Sequence, residues 1–140
     1  MGLKQLKRKV DEQFQCAIHS YGQVQQFFVN NPCELLKREL IAAIDQSGNT
    51  FLVSVSWVEM SGMGQAEQLK TIADTYGTGN VTPIASVALG LAGVRYTGKY
   101  YDSRIDGALV VIAESAVLTG DPDPDMLEGA AQVAAQLPPP

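Results

Sequence analysis

Residues 3–28 read LKQLKRKVDEQFQCAIHSYGQVQQFF, and what they form decides the fold. Leu3, Leu6, Val10, Phe14, Ala17, Tyr21, Val24 and Phe28 lie three or four positions apart. Side chains at that spacing share one face of an α-helix, and from Phe14 to Phe28 they alternate like a coiled-coil seam. Ile18 and Phe27 widen the stripe, and Lys7, Lys9, Glu12, Gln13, Gln15, Gln23 and Gln26 fall opposite it. The spacing predicts a long N-terminal amphipathic helix over residues 1–30. Gly22 is its weak point, at a cost of about 1 kcal/mol against alanine in a helix interior. The stripe runs for about 25 residues, or ~38 Å at the helical rise, against roughly 30 Å for the diameter of a domain this size. Part of the apolar seam then faces water or another chain, which implies association.

Working outward, Asn30-Asn31-Pro32 ends that segment, since the residue before proline avoids helical dihedrals. Asn31 as cap and Pro32 as first residue predict a second helix, with Leu35, Leu36, Leu40, Ala43 and Ile44 inward. Ser47-Gly48-Asn49 closes it. From Thr50 to Met60, Phe51, Val53, Val55 and Trp57 alternate with Ser54, Ser56 and Val58, the pattern of a strand. Leu52 and Met60 make its second face partly apolar, so the strand is central or covered on both sides. Gln65 to Tyr76 predicts a third helix, stopped by Gly77-Thr78-Gly79-Asn80. Residues 83–92 suit a short buried strand or a helix, and the flanking Gly90 and Gly93 favour the strand. Asp106-Gly107 is a turn signal between two arms, Val94–Ser103 and Ala108–Leu118, that predict a β-hairpin. Asp123 precedes Pro124 and caps a last helix reaching Gln136. The expected fold is α+β: a small, mostly antiparallel sheet packed against helices, with the long helix 1–30, an α+β domain over 31–137 and a short proline tail at 138–140.

The 140 residues fit one domain, and 46% hydrophobic content excludes disorder for most of the chain. Charged residues are 18% of the chain against an average near 25%, an unusually uncharged surface. Residues 1–10 carry Lys4, Lys7, Arg8 and Lys9 with no acid, so the rest of the chain is strongly acidic beneath a net charge of −5. An acidic body lacks the basic face that nucleic-acid binding needs. No apolar run reaches the ~20 residues of a membrane span. The polar N-terminus does not read as a secretory signal, so the expected location is the cytoplasm, or a particle assembled from it. Two cysteines do not make a disulfide framework, and Cys16 and Cys33 are expected as free thiols.

Few constellations carry chemistry. Cys16 and His19, one helical turn apart, are too few for a zinc site unless Cys33 and a carboxylate complete it. His19 beside Ser20 lacks the third group and the oxyanion site of a serine nucleophile. Asp121, Asp123 and Asp125 lack the glycine and glutamate of a calcium loop. Gly62 and Gly64 open a helix after a strand, as in a phosphate-binding turn, but Glu67 stands where a dinucleotide fingerprint has its third glycine. Neither metal nor cofactor is expected. Tyr96, Tyr100, Tyr101 and Arg104, beside Arg95 and Lys99, are residue types that anchor interfaces. The leading expectation is a non-catalytic structural or assembly protein. It self-associates, or docks in a virion, secretion or scaffold complex, through Leu6, Val10, Phe14, Tyr21, Val24, Phe28 and the tyrosine hairpin. The alternative is a small-ligand-binding or regulatory domain using loops at Gly62, Gly64, Gly77, Gly79 and Asn80. Catalysis would gain ground from a pocket lined by Glu59, Asp74, Asp102 or Asp106 with a displaced carboxylate pKa.

Overall fold

A computed structural model describes residues 2–140 of the chain. Five antiparallel strands form one sheet: β1 (Lys4–Gln13), β2 (Leu35–Ile44), β3 (Thr50–Glu59), β4 (Tyr100–Asp106) and β5 (Leu109–Thr119), in the order β1-β2-β3-β5-β4. Three short helices accompany it: α1 (Gly22–Asn30), α2 (Met63–Asp74) and α3 (Pro124–Ala135). The α+β class agrees with the sequence reading, but the long N-terminal helix does not exist. Residues 4–13 are an edge strand, 17–19 a single 3-10 turn, and only Gly22–Asn30 is helical. The apolar seam is therefore an accident of spacing across three separate elements. Gly22 marks the break: its φ is +66°, and its α-carbon lies against Gly79, where a Cβ would collide with backbone. With the rod goes the ~38 Å stripe from which association was inferred.

The second expected helix is also a strand. Residues 35–44 contain good helix formers, and tertiary pairing overrides that propensity. β2 lies between β1 and β3, in register from Leu35 opposite Glu59 to Ile44 opposite Thr50. Leu36 and Leu40 are buried on one face and Ala43 on the other, a strand's period of two. Its two buried charges are answered from β1. Arg38 donates to both carboxylate oxygens of Asp11, directly opposite, at 3.0 and 2.5 Å, and to Thr82 O at 2.8 Å. Glu39 pairs with Arg8. These two ion pairs sit on opposite faces of the sheet and fix the edge strand's register.

β3, α2 and α3 match the sequence patterns, and so does the second arm of the hairpin, but its first arm does not: residues 94–99, expected as strand, are irregular, and β4 begins only at Tyr100. Gly107 makes the hairpin turn at φ +60°. The Asp123 side chain accepts from the Asp125 amide at the start of α3. Residues 83–92 form neither strand nor full helix; a 3-10 turn at Ser86–Leu89 is their only regular structure. One face of the sheet packs Leu36, Val58 and Val110 against Val24 and Phe28 of α1 and Leu69 of α2. The other packs Phe51, Val55, Trp57 and Val111 against Leu127, Ala134 and Ala135 of α3. The Trp57 indole N–H donates to Leu137 O at 2.9 Å, tying down the chain after α3.

Cys16 and Cys33 are not free thiols; they are bonded to one another. The bond closes the segment carrying the 3-10 turn and α1 at its base, and Cys16 lies in the core beside Val24 and Phe28. Read as a helix, residues 16 and 33 would lie far apart, which is why sequence spacing gave no hint of the pair.

Candidate functional site

The face of the sheet beneath α1 and α2 carries charge at its centre. Glu114 on β5 sits opposite Ser54 of β3 and Tyr101 of β4, and is only 8% exposed. Its Oε1 accepts from the Gly98 amide at 2.7 Å. Among the described residues no lysine, arginine or histidine forms an ion pair with it. Burial raises the Glu114 pKa, and the Gly98 amide offsets part of that. A charged carboxylate left this deep without a counter-ion is costly.

Above Glu114 lies a cavity of about 270 Å³, walled by the end of α2, the 75–80 turn, the segment before β4, and Tyr21 at the entrance to α1. Four of the chain's five tyrosines line it: Tyr21, Tyr76, Tyr96 and Tyr101. The hydroxyls of Tyr21, Tyr96 and Tyr101 are all held above the ordinary phenol range, by burial first and then by negative charge. Glu114 contributes to that charge at each of them, and it lines the same cavity as all three. Tyr101 Oη donates to Asp74 Oδ1 at 2.8 Å, whereas the buried Tyr96 hydroxyl has no hydrogen-bond partner among the described residues.

Asp74 lines the same cavity but is fully engaged. Lys70 Nζ donates to its Oδ2 at 2.7 Å, and Tyr101 and Ser103 donate to its Oδ1. Burial alone would raise its pKa; Lys70, Ser103 and Tyr101 outweigh that and hold it below the usual range. The site thus holds one neutralised carboxylate at its rim and one uncompensated carboxyl at its floor.

The 75–80 turn owes its shape to glycine. Gly79 has φ +101°, and a Cβ there would lie 2.2 Å from Tyr21 O. That contact lets Tyr21 N–H donate to Asn80 O at 3.0 Å and Gln23 N–H to Thr78 O at 2.6 Å, placing Tyr21 at the cavity. Gly77, at φ +87°, has open space where its Cβ would be. Gly79→Ala is therefore expected to destabilise by about 2 kcal/mol or more, against roughly 1 kcal/mol for Gly77→Ala, where only the dihedral is strained. Equal midpoints in urea for the two variants would refute the close approach.

Of the expected ligand loop, Gly77, Gly79 and Asn80 line the cavity. Gly62 and Gly64 do not: Gly62 caps α2, and Gly64 lies in an open groove with Phe27 and Thr71. Among the expected interface residues, Tyr21, Tyr96 and Tyr101 converge on the cavity. Tyr100 packs on the opposite face, and Arg104 donates from Nε to Ala135 O at 2.9 Å, at the end of α3. Val24 and Phe28 are core residues with no surface to offer. Leu6, Val10 and Phe14 are exposed, Phe14 by 69%. The disulfide removes both thiols from any metal site, and Ser20 Oγ donates to Cys16 O at 2.8 Å rather than facing His19. Of the four acids whose placement in a pocket would favour catalysis, Asp74 alone lines this cavity. Sequence reasoning missed Glu114; an acid inside the apolar run from Leu109 to Leu118 was the available signal.

Glu114 also gives the fold a pH dependence of known sign. A carboxyl whose folded pKa is raised binds protons more readily folded than unfolded, so its contribution favours folding as pH falls and opposes it as pH rises. Asp11, Asp45 and Asp74, all held low, act the other way at the acid end. Glu114→Gln keeps an acceptor for Gly98 and removes the charge. The variant is expected to melt above the parent at pH 7, with the difference shrinking toward pH 4. A parent that melts higher at pH 7 would contradict this.

Comparison with models of protein families finds no match. Comparisons with curated proteins and with solved structures find none either.

Proposed function

We propose that the chain is a non-catalytic domain that binds a small ligand in the Glu114 cavity. The observation that carries this reading is the meeting, in one cavity, of a deeply buried carboxyl group that has the Gly98 amide but no counter-ion, and a Tyr96 hydroxyl with no partner among the described residues. Buried polar groups are normally satisfied, and a site built to hydrogen-bond a ligand leaves them unsatisfied when empty. The 75–99 connection, long and almost without regular structure, is of the kind that compact domains keep for binding.

Catalysis fits less well. The raised Glu114 pKa suits a general acid, but the phenols around it are pushed away from ionisation, so none is an activated nucleophile or base. A second reading, assembly with another copy or another protein, keeps one observation in its favour. Phe14 and Ile18, in the segment just after β1, are each 69% exposed. Against pairing through the β1 edge itself, Lys4, Lys7, Arg8 and Lys9 and the irregularity near Leu6 are the usual means of blocking strand addition.

No helix among the described residues is long and apolar enough to cross a membrane. A disulfide persists in oxidising surroundings and is rare in cytosolic proteins, so Cys16–Cys33 favours an oxidising compartment over the cytoplasm expected from the sequence.

Amide NMR spectra with a small-fragment collection test the binding reading. Expected are shifts confined to Gly77, Gly79, Gly98 and their neighbours. Fragments that shift only residues near Phe14 and Ile18, or none at all, would refute it. Light scattering of the parent and Phe14→Asp at several dilutions tests assembly with another copy: a monomer throughout removes self-association.

A further inference from the structure

The cavity has a chemical sign. Its rim carboxylate, Asp74, is neutralised by Lys70, while Glu114 at the floor faces no cation among the described residues. An anion placed here would meet Glu114 directly, which argues against the phosphate or nucleotide that a glycine-containing turn invites. A bare divalent ion would need about six or more oxygen ligands, mostly charged or carbonyl; this site offers one free carboxyl group among phenols. An organic cation asks for less. A quaternary ammonium ion is weakly hydrated, gives up little on leaving water, and is attracted by aromatic rings and by a carboxylate together.

We propose that the cavity takes a small organic ammonium ion, with Glu114 as its counter-ion and Tyr21, Tyr76, Tyr96 and Tyr101 as its aromatic wall. The inference rests on the cavity being a binding site. At about 270 Å³ the space lies at or below the small end of ligand pockets, which limits the ion to a quaternary group of choline's size. Tyr76 contributes through its position over the Gly98 backbone, where a Cβ would touch the ring at 3.0 Å. The Tyr76 ring is 83% exposed and so stands at the rim, and the same Gly98 holds Glu114 at the floor through its amide.

Calorimetry and amide NMR on the intact, oxidised chain test the proposal. The probes are choline, tetramethylammonium, 3,3-dimethylbutan-1-ol (the uncharged counterpart of choline), acetate and inorganic phosphate. Choline and tetramethylammonium are expected to bind and to shift Gly77, Gly79 and Gly98. The neutral alcohol is expected to bind about tenfold more weakly or worse, and the anions not at all. Glu114→Gln is expected to reduce choline affinity about tenfold while leaving the neutral alcohol unchanged. Tyr21→Leu alters an exposed ring and spares the fold, and is expected to weaken choline several-fold. If the alcohol or an anion shifts the same amides as strongly as choline, the cavity remains a binding site and the cation assignment falls. Unchanged choline affinity in both variants also overturns it. If no probe moves a cavity amide, the assignment falls, and a fragment screen that is equally silent removes the binding reading beneath it.

Discussion

Asp11→Ala is expected to destabilise the protein by roughly 3 kcal/mol, an effect no solvent-facing helical residue would produce. Arg38 is the reason. Its side chain is 9% exposed and that of Asp11 23%, and two of its donors end on the Asp11 carboxylate. Without Asp11 the guanidinium stays buried with Thr82 O as its remaining partner, and an uncompensated buried charge costs more than the pair was worth. The effect should shrink in acid. Burial alone would raise the Asp11 pKa, and the hydrogen bonds and charge of Arg38 outweigh it and hold it low. The contribution is therefore complete above the unfolded carboxyl range and disappears as pH falls through the lower folded value. Urea unfolding at pH 7 and pH 3 measures both. A difference below about 0.5 kcal/mol at pH 7, the level of an ordinary surface substitution, would mean that residues 4–13 are not paired with β2.

Reduction of the Cys16–Cys33 bond is expected to lower stability by about 3 kcal/mol, or roughly 10 °C in Tm, the scale for a closed loop of this length. Cys16→Ser should reproduce that loss without reductant and then be insensitive to it. The consequence reaches the cavity, because the bonded segment carries Tyr21 and the Gly22–Gly79 contact. Reductant should therefore also weaken any ligand held there. Equal melting temperatures with and without reductant would show the two thiols to be free, as cysteine count alone suggests.

The parts of the chain that reported themselves were those whose pattern is local. β3 shows its alternation within ten residues, Asp106-Gly107 marks a hairpin turn that falls one residue later, at 107–108, and Asp123-Pro124 names the start of α3. The first forty-four residues did not, because spacing of three and four along 3–28 is shared by one helix and by a strand, a turn and a short helix in succession. For β2 the deciding terms lie on other strands: Asp11 for Arg38, Arg8 for Glu39. A complementary order of charges in two segments was present to be seen, but it says which residues meet only once both segments are taken as strands.

Gly77, Gly79 and Asn80 are recognisable from the sequence as a loop, and Tyr96 and Tyr101 as members of one aromatic cluster. That they surround Glu114 was not recognisable. Glu114 meets Tyr101 across one pair of strands and Gly98 across a loop closure, and it shares a cavity with Tyr21, about two thirds of the chain away in sequence. Sequence alone settled composition, the α+β class and the elements stabilised by neighbours in the chain. The tertiary structure settled the edge strand, the disulfide and the cavity, because each depends on free energy gained only when residues far apart in sequence are brought together.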